Sequence, residues 1–292
     1  MKVKMYNLVS NVEQEEFDAG LLAETYLVET KDGKNVTLPS MFESDIREDL
    51  VRSAVHSSRA NRRQAYGHRE HDGKRKPQAG MKHSVEWWGK GRGVSRIMRK
   101  TGQRTGAQNP HTRGGRRAHG PKVAKDWSQK LNSKQKTLAR NSAIAATADS
   151  ESVSSRGHRF DSSIRFPIVI DGYVESRDGS DEKYSVESLP LQNSTRKFVA
   201  MMNGLGLGAD LDRAKSGRTI RAGKGTMRGR KHRTPKSLLL VVANRDGLHK
   251  AARNVPGVDV VAAKDLCAED LAPGGDIGRL TVWTKSAIEA LE

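Results

Sequence analysis

The chain has 292 residues and a formal net charge of +18, with 52 Lys and Arg against 34 Asp and Glu. So basic a balance excludes the acidic or neutral surface of an ordinary cytosolic enzyme and favours a polyanionic partner. A single cysteine, Cys267, excludes an intramolecular disulfide framework and every Cys-based zinc finger. The longest aliphatic run, 238–243, is too short to cross a bilayer, and early acidic residues argue against a signal peptide. We therefore expect a soluble, cytoplasmic chain without metal or cofactor.

The positive charge is concentrated in two stretches. Residues 59–140 hold 23 Lys and Arg and 4 Asp and Glu, a net charge of +19. Residues 213–236 hold 10 Lys and Arg and no carboxylate, which leaves a net charge of −11 on the rest of the chain. Because residues 59–140 are also poor in apolar side chains, we do not expect them to fold alone.

The first elements in chain order are short strands and a helix. Residues 2–8 alternate as a strand does, and residues 25–29 and 35–38 flank the turn-forming Asp32-Gly33, which predicts a hairpin. From Ser44 the apolar period becomes helical, which predicts a helix with Ser44 as its N-cap that runs to about Arg62.

Residues 67–120 show neither a helical nor a strand period, so a disordered linker is one interpretation. A second helix is predicted after them, capped by Asn132 or Ser133 and ending near Arg156-Gly157. Two helices then bracket the basic stretch, which favours a functional loop held at both ends.

The C-terminal half alternates predicted strands with predicted helices. Strands are predicted at 166–170, 208–211, 237–243, 258–262 and 280–284, helices at 194–203, 248–253, 264–267 and 285–291, and an acidic loop at 171–187. This alternation indicates parallel βαβ units. The expected fold is α/β, a doubly wound, mostly parallel sheet with flanking helices. We expect this Rossmann-like body at residues 1–62 and 121–292, an extended basic loop at 63–120, and a second basic loop at 213–236 within the body.

Two glycine-rich stretches raise the alternative of a nucleotide-dependent enzyme. Residues 204–208 read Gly-x-Gly-x-Gly and follow a predicted helix, and residues 217–224 lack the spacing of a phosphate-binding loop. Helix ends and close backbone packing explain these glycines better. The histidines lack the spacing and neighbouring carboxylates of a metal site, so we expect neither a catalytic residue nor a metal.

The basic stretch has the composition of an RNA-binding surface. Guanidinium groups suit bidentate contacts to phosphate, glycines let the backbone approach another surface, and aromatic rings offer stacking platforms to unpaired bases. A core role for Trp87-Trp88 is disfavoured because no apolar neighbours surround them in the sequence. The expected RNA-binding residues here are Arg59, Arg62, Arg63, Tyr66, Lys74, Arg75, Lys76, Trp87, Trp88, Lys90, Arg92, Arg96, Arg99, Arg104, Arg113, Arg116, Arg117, His119 and Lys122.

The second basic stretch is expected to contact the same polyanion. Its glycines could let backbone amides join the side chains in cradling phosphates. The expected RNA-binding residues here are Arg221, Lys224, Arg228, Arg230, Lys231 and Arg233.

Ten stretches in order resemble one family. They are RRQAYG (62–67), WGKGRG (88–93), GGRRAHGPK (114–122), SAIAATAD (142–149), RGHRF (156–160), RGR (228–230), PKS (235–237), ARNVPGVD (252–259), LAPGG (271–275) and GRLTVW (278–283). Together they resemble the universal fourth protein of the large ribosomal subunit, in its archaeal form. The resemblance covers nearly the whole chain.

This resemblance implies an α/β body and an extended loop that penetrates large-subunit rRNA. In that family the loop tip helps to form the constriction of the nascent-peptide exit tunnel, beside the loop of the twenty-second large-subunit protein. By motif, the tip here is expected at Trp88, Gly89, Lys90, Gly91, Arg92 and Gly93. Two departures from the family pattern are a longer stretch at 73–86 and the acidic residues 171–187, which read as an insertion.

The leading hypothesis is a structural, non-enzymatic constituent of the large ribosomal subunit. Its expected partners are large-subunit rRNA, neighbouring ribosomal proteins and the nascent peptide, with no membrane. Two alternatives remain open at this point: a nucleoid or chromatin architectural protein, and an RNA-modifying enzyme on an α/β fold.

Overall fold

The computed structural model describes residues 1–17, 21–67, 84–177 and 180–291. The chain divides into two compact units, one made of Met1–Ser58 with Lys130–Glu292 and one made of Arg59–Gln129. Part of the expected basic loop, residues 68–83, lies outside the described residues.

The bounds of the elements are as follows. The helices are α1 Glu48–Asn61, α2 Ser133–Ala145, α3 Ser150–Ser155, α4 Ser194–Gly204, α5 Gly208–Ser216, α6 Gly247–Ala252, α7 Ala268–Leu271 and α8 Lys285–Glu289. The strands are β1 Lys2–Phe17, β2 Leu21–Thr37, β3 Val85–Trp87, β4 Met98–Lys100, β5 Ile168–Arg177, β6 Ser180–Ser185, β7 Thr219–Ile220, β8 His232–Arg233, β9 Leu239–Val242, β10 Asp259–Ala262 and β11 Thr281–Thr284. Short 3-10 helices cover Ser40–Glu43, Val186–Ser188, Gly223–Arg228 and Ala263–Asp265.

A seven-stranded sheet organises the first unit. Its order is β10-β9-β11-β5-β1-β2, and β6 pairs with β5 off this path. The pairs from β10 to β1 are parallel, whereas β2 and β6 are antiparallel to β1 and β5. The expected doubly wound, mostly parallel α/β sheet is therefore confirmed.

The core lies on both faces of this sheet. Along β9, Leu240 and Val242 pack into a cluster with α4, α5 and α6, whereas Leu239 and Val241 pack into a second cluster with α1, α2 and α8. Strands that bury side chains on both faces read as continuous apolar runs. The runs at 237–243 and 280–284 were therefore correctly predicted as strands. The strand predicted at 258–262 is also confirmed, as the half-buried edge strand β10.

The hairpin predicted around Asp32-Gly33 is wrong. β2 is one continuous strand that pairs with β1, and the register shifts between the pairs Lys4–Asn35 and Tyr6–Asp32. This shift places one extra β2 residue opposite β1, which is the signature of a β-bulge. At Gly33 a Cβ would lie 3.0 Å from the Asn7 amide nitrogen, so the glycine serves a close approach within the sheet.

The helix predicted from Ser44 begins later than expected. A 3-10 helix ends at Glu43, Ser44 is extended, and α1 begins at Glu48. The buried residues of α1 include Val51 and Val55, whereas Ile46, which falls within the predicted helix but precedes α1, is 42% exposed.

The single helix predicted from 133 to 156 is two helices. Asp149 interrupts it, because its carboxylate oxygens accept hydrogen bonds from the backbone N–H groups of Glu151 and Ser152, each at 3.1 Å. A carboxylate in this position is a strong N-cap, so it starts a new helix, α3.

The acidic loop predicted at 171–187 is mostly strand. β5 continues to Arg177 and pairs antiparallel with β6, so these residues extend the sheet.

The strand predicted at 208–211 is also wrong, because these residues form the beginning of α5, where Leu211 and Ala214 are buried three residues apart. A short apolar run of this kind is compatible with either a strand or a helix.

Candidate nucleic-acid interface

The expected tip lies in a short hairpin of the second unit. β3 pairs antiparallel with β4, with Trp87 opposite Met98, so residues 88–97 form the connection between the two strands. Within it Gly91 has a φ of +88° and Gly93 a φ of +64°, a region that glycine adopts without strain. The WGKGRG motif therefore coincides with a hairpin connection whose backbone requires two of its glycines.

Arg99 anchors this hairpin from the inside. Its guanidinium donates hydrogen bonds to the backbone carbonyl oxygens of Arg104 and Ser95, the latter at 3.2 Å, and the residue is only 9% exposed. On the other side of β4, the Ala107 N–H donates to the Met98 carbonyl at 2.8 Å. Arg99 was expected to bind RNA, but these contacts place its side chain within the fold of the unit.

The two tryptophans before the tip differ in their surroundings. Trp88 is half-buried, with the Arg92 guanidinium 4.5 Å and that of Arg99 5.2 Å from its ring centroid. Trp87 is 64% exposed. Cation–π contacts thus cover Trp88, whereas the ring of Trp87 faces solvent.

A stacked aromatic pair joins the two chain segments that begin and end this unit. The rings of Tyr66 and Trp127 lie 4.4 Å apart at an interplanar angle of 31°. Arg63 and Lys125 approach the Trp127 ring at 5.8 Å and 5.2 Å. Gly67 lies against the backbone of residues 121–123, where a Cβ would come within 2.7 Å of a backbone atom. The two segments therefore run in close contact and bring their cations together.

Most expected RNA-binding residues of the second unit are exposed. Among its described residues, 59–67 and 84–129, the buried ones are Ala60, Arg99 and Ala107. Lys74, Arg75 and Lys76 lie outside the described residues. The exposed candidates are Arg59, Arg62, Arg63, Tyr66, Trp87, Lys90, Arg92, Arg96, Arg104, Arg113, Arg117, His119 and Lys122, and Arg116 is half-buried.

In the second basic stretch, residues 213–216 form the last turn of α5, and residues 217–236 fold as a small hairpin of the first unit, which we call the basic hairpin. β7 pairs with β8, and a 3-10 helix covers the turn between them. The backbone N–H of Arg221 donates to the Lys231 carbonyl at 2.8 Å, and that of Arg230 donates to Gly225 at 3.1 Å. All six expected RNA-binding residues of this hairpin are exposed: Arg221, Lys224, Arg228, Arg230, Lys231 and Arg233.

Asp210 is a buried carboxylate of α5, the helix that leads into the basic hairpin. It accepts hydrogen bonds from Arg213 Nε at 2.9 Å and from Ser237 Oγ at 2.6 Å, and His158 Nδ1 lies 3.1 Å away. Burial alone would raise the pKa of Asp210, but the hydrogen bonds of these three partners outweigh it and hold the pKa well below its usual range. Asp210 is therefore ionised.

Asp259 is the corresponding carboxylate at the other end of the basic hairpin. Lys236 Nζ donates to both of its oxygens, at 2.8 Å and 2.7 Å, and Arg279 Nη2 donates to one of them at 2.6 Å. Burial opposes ionisation of Asp259, but the charge of Arg279 and the bonds from Lys236 lower its pKa overall. Sequence reasoning missed both carboxylates, because only the fold brings their partners near.

In α/β enzymes the ligand binds at the carboxyl edge of the parallel sheet. In this chain the Glu187 side chain occupies that edge. Glu187 accepts hydrogen bonds from the Ala243 N–H at 2.7 Å, Thr284 Oγ1 at 2.6 Å and Ser286 Oγ at 2.9 Å. The adjoining cavity measures about 190 Å³. These donors, which could bind an anion, already hold a carboxylate.

The glycines at 204–208 belong to helix ends, as expected. Gly204 ends α4 and Gly208 begins α5, and a Cβ on Gly204 would lie 2.4 Å from the Val28 carbonyl oxygen. Among the described residues, no group of three or more His, Cys, Asp or Glu side chains could hold a metal ion. Within the same ranges, no helix has the length and apolar character needed to cross a membrane.

Comparison with known proteins identifies the family. The sequence profile of the Ribosomal protein L4/L1 family matches residues 36–292. β1 and nearly all of β2 precede the matched residues.

Archaeal relatives match over most of their length. The large ribosomal subunit protein uL4 of Halobacterium salinarum is 44% identical over 258 residues, which cover 88% of this chain and 94% of that protein. The uL4 of Methanopyrus kandleri is 42% identical over 275 residues, or 92% of this chain and 97% of that protein. The uL4 of Archaeoglobus fulgidus is 41% identical over 258 residues, or 88% and 93%. The chain belongs to the ribosomal protein L4/L1 family and is of the archaeal type.

Proposed function

We propose that this chain is a structural constituent of the cytoplasmic large ribosomal subunit, where it binds and stabilises large-subunit rRNA. Family membership carries this proposal, since the archaeal relatives bear the name of a large-subunit protein. Two hairpins with exposed cations support it, because guanidinium and ammonium groups make charge-assisted hydrogen bonds to phosphates. No catalytic step is part of the proposal.

In the second unit, the exposed cations contact phosphates and Trp87 stacks on an unpaired base. The exposure of Trp87 supports this assignment, since sequence-specific RNA contacts often use aromatic rings as platforms for splayed bases. Trp88 instead stabilises the conformation of the tip through its cation–π contacts with Arg92 and Arg99. In the first unit, the basic hairpin supplies a second set of phosphate contacts through its six exposed candidates.

The connection between β3 and β4 lines the nascent-peptide exit tunnel. Its residues Trp88 to Gly93 match the tip motif of the family, and their place in a hairpin connection supports this assignment. The expected neighbours there are the loop of the twenty-second large-subunit protein and the nascent peptide.

Co-sedimentation tests the ribosomal assignment directly. The tagged chain is expected to sediment with large subunits and to remain bound after a high-salt wash. Its release into the soluble fraction would contradict an integral role, and crosslinking mainly to DNA would favour an architectural protein of the nucleoid.

Salt-dependent binding tests the assigned cations. The triple variant Arg92→Gln, Arg96→Gln and Lys90→Gln is expected to bind large-subunit rRNA more weakly, with a salt slope smaller by about 0.7–0.9 for each phosphate that is no longer neutralised. The matched control is Lys31→Gln together with Lys183→Gln, two exposed cations of β2 and β6. Equal affinity and equal salt slope in the triple variant and the wild type would show that the tip is not part of the RNA interface.

A further inference from the structure

Two ion pairs lie at the base of the basic hairpin. One is within α5, the helix that leads into the hairpin, where Arg213 Nε lies 2.9 Å from Asp210, three residues earlier. The other is at the last residue of the hairpin, where Lys236 Nζ lies 2.7 Å from Asp259. Both acids lie outside the hairpin, on α5 and at the start of β10.

The last turn of α5 is also bonded to the last residue of the hairpin. Arg213 Nη2 donates to the Lys236 carbonyl at 2.8 Å, and Ser237 Oγ, one residue further along, donates to Asp210. Arg279, whose side chain is 1% exposed, holds Asp259 from the interior and donates to the Ser237 carbonyl at 3.0 Å. The base of the hairpin is thus a closed network centred on two carboxylates.

The rest of the hairpin has little to hold it in place. Its strands are two residues long, and its large apolar side chains Ile220 and Met227 are 69% and 80% exposed. A two-stranded hairpin without a buried face is marginally stable in water. The direction in which its cations point therefore depends on the network at the base.

We propose that Asp210 and Asp259 are positioning residues for RNA binding, which orient the basic hairpin through Arg213 and Lys236. Arg213 and Lys236 then act on the carboxylates, while the hairpin's other seven Lys and Arg residues are available to phosphates. The inference rests on the proposed function, since it assumes that the basic hairpin contacts rRNA.

A double-mutant cycle on the more exposed pair tests this inference. Lys236→Gln, Asp259→Asn and the double variant are compared with the wild type for binding to large-subunit rRNA over a range of salt concentrations. If Lys236 acts through Asp259, each single change weakens binding by about tenfold and the double variant binds no worse than either one. If Lys236 contacts a phosphate itself, Lys236→Gln has its full effect in the Asp259→Asn background as well, which would overturn the inference.

The control is Lys224→Gln, an exposed cation in the turn of the same hairpin. It is expected to reduce affinity and to lower the salt slope by about one, in either background. Normal rRNA binding by Lys224→Gln would count against the proposed function of the hairpin, whereas a normal Lys224 effect with an additive cycle would count against the positioning role alone.

Hydrogen exchange separates positioning from general stability. Asp259→Asn is expected to speed exchange of the Arg221 amide, which bonds across the hairpin, and to leave the Val241 amide of β9 protected. Uniformly faster exchange in both, with affinity falling only as the folded fraction falls, would assign Asp259 a purely structural role and overturn the proposal.

Discussion

Lys197 Nζ of α4 donates a hydrogen bond of 2.6 Å to Glu175 Oε2 of β5, and the two side chains are 5% and 8% exposed. Lys197→Met would remove this cation from the buried Glu175 carboxylate. Removal of one partner from a buried pair costs about 3–5 kcal/mol, so the free energy of unfolding should fall by roughly that amount. Urea unfolding at pH 7 measures it.

Two further variants show whether the charge or the packing matters here. The double variant Lys197→Met with Glu175→Gln should recover part of the loss, because it also removes the buried carboxylate charge. Lys183→Met, at an exposed position of β6, should change the free energy of unfolding by less than about 0.5 kcal/mol. A decrease of less than about 1 kcal/mol for Lys197→Met would show that solvent or the other contacts of Glu175 compensate for the lost cation.

We expect replacement of Trp87 to affect rRNA binding and replacement of Trp88 to affect the conformation of the tip. Trp87→Ala is expected to leave the fold unchanged and to weaken rRNA binding by about 1–3 kcal/mol, the usual value for one stacked base. Trp88→Ala removes the cation–π contacts of Arg92 and Arg99, each worth about 0.5–1 kcal/mol, and should loosen the tip.

Hydrogen exchange distinguishes these two tryptophan variants in the free protein. The Lys100 amide, which bonds to the Thr105 carbonyl at 2.9 Å, should exchange faster in Trp88→Ala and at the wild-type rate in Trp87→Ala. The reverse pattern, or full RNA affinity in Trp87→Ala, would contradict the division of roles between the two rings.

The lowered pKa of Asp210 makes part of the stability depend on pH. Since the folded pKa lies below the unfolded one, this stabilisation is complete above the ordinary Asp pKa of about 4 and is lost as pH falls below it. Asp210→Asn should cost about 1.5–3 kcal/mol at pH 7, and its deficit relative to the wild type should shrink between about pH 4 and pH 2.

Denaturant unfolding at several pH values tests this linkage. Asp212→Asn, which changes an exposed carboxylate two residues along α5, serves as the matched control and should leave stability almost unchanged at neutral pH. A deficit for Asp210→Asn that stays constant down to about pH 2 would mean that Asp210 does not titrate with folding.

The sequence predicts the centre of the sheet better than the edge formed by β2. The runs that became β9 and β11 are buried on both faces, and composition alone predicts such strands. The bulge at Gly33 could not be predicted in the same way, because it depends on how β2 pairs with β1 rather than on local residues. A Gly next to Asp reads locally as a turn whether the strand ends or continues.

The sequence likewise predicts only part of the candidate interface. Charge and motif spacing predict which cations are candidates, and most of them are exposed. They do not predict that Arg99 bonds within its own hairpin, or that Asp210 meets His158 and Ser237, which are 52 and 27 residues away in sequence. Contacts over such separations follow from the sheet order, which local patterns do not encode.

Gly204 provides a test of how closely α4 packs against the edge of the sheet. Replacement of a helical glycine by alanine normally stabilises a protein by about 1 kcal/mol. Here the new Cβ would lie 2.4 Å from the Val28 carbonyl oxygen of β2, and backbone atoms cannot rotate away as a side chain could. Gly204→Ala should therefore destabilise the protein, by about 1–3 kcal/mol for overpacking.

The sign of the Gly204→Ala effect is the decisive observation, because helix propensity and overpacking act in opposite directions. Urea unfolding followed by far-UV circular dichroism measures it, with Gly89→Ala as the control, since no atom lies within 4 Å of a Cβ at that position. A stabilised Gly204→Ala variant would mean that α4 can move away from β2 at little cost. A destabilised one would mean that the glycine is required by close packing of the helix on the strand, which is why this glycine-rich stretch needs no bound phosphate to explain it.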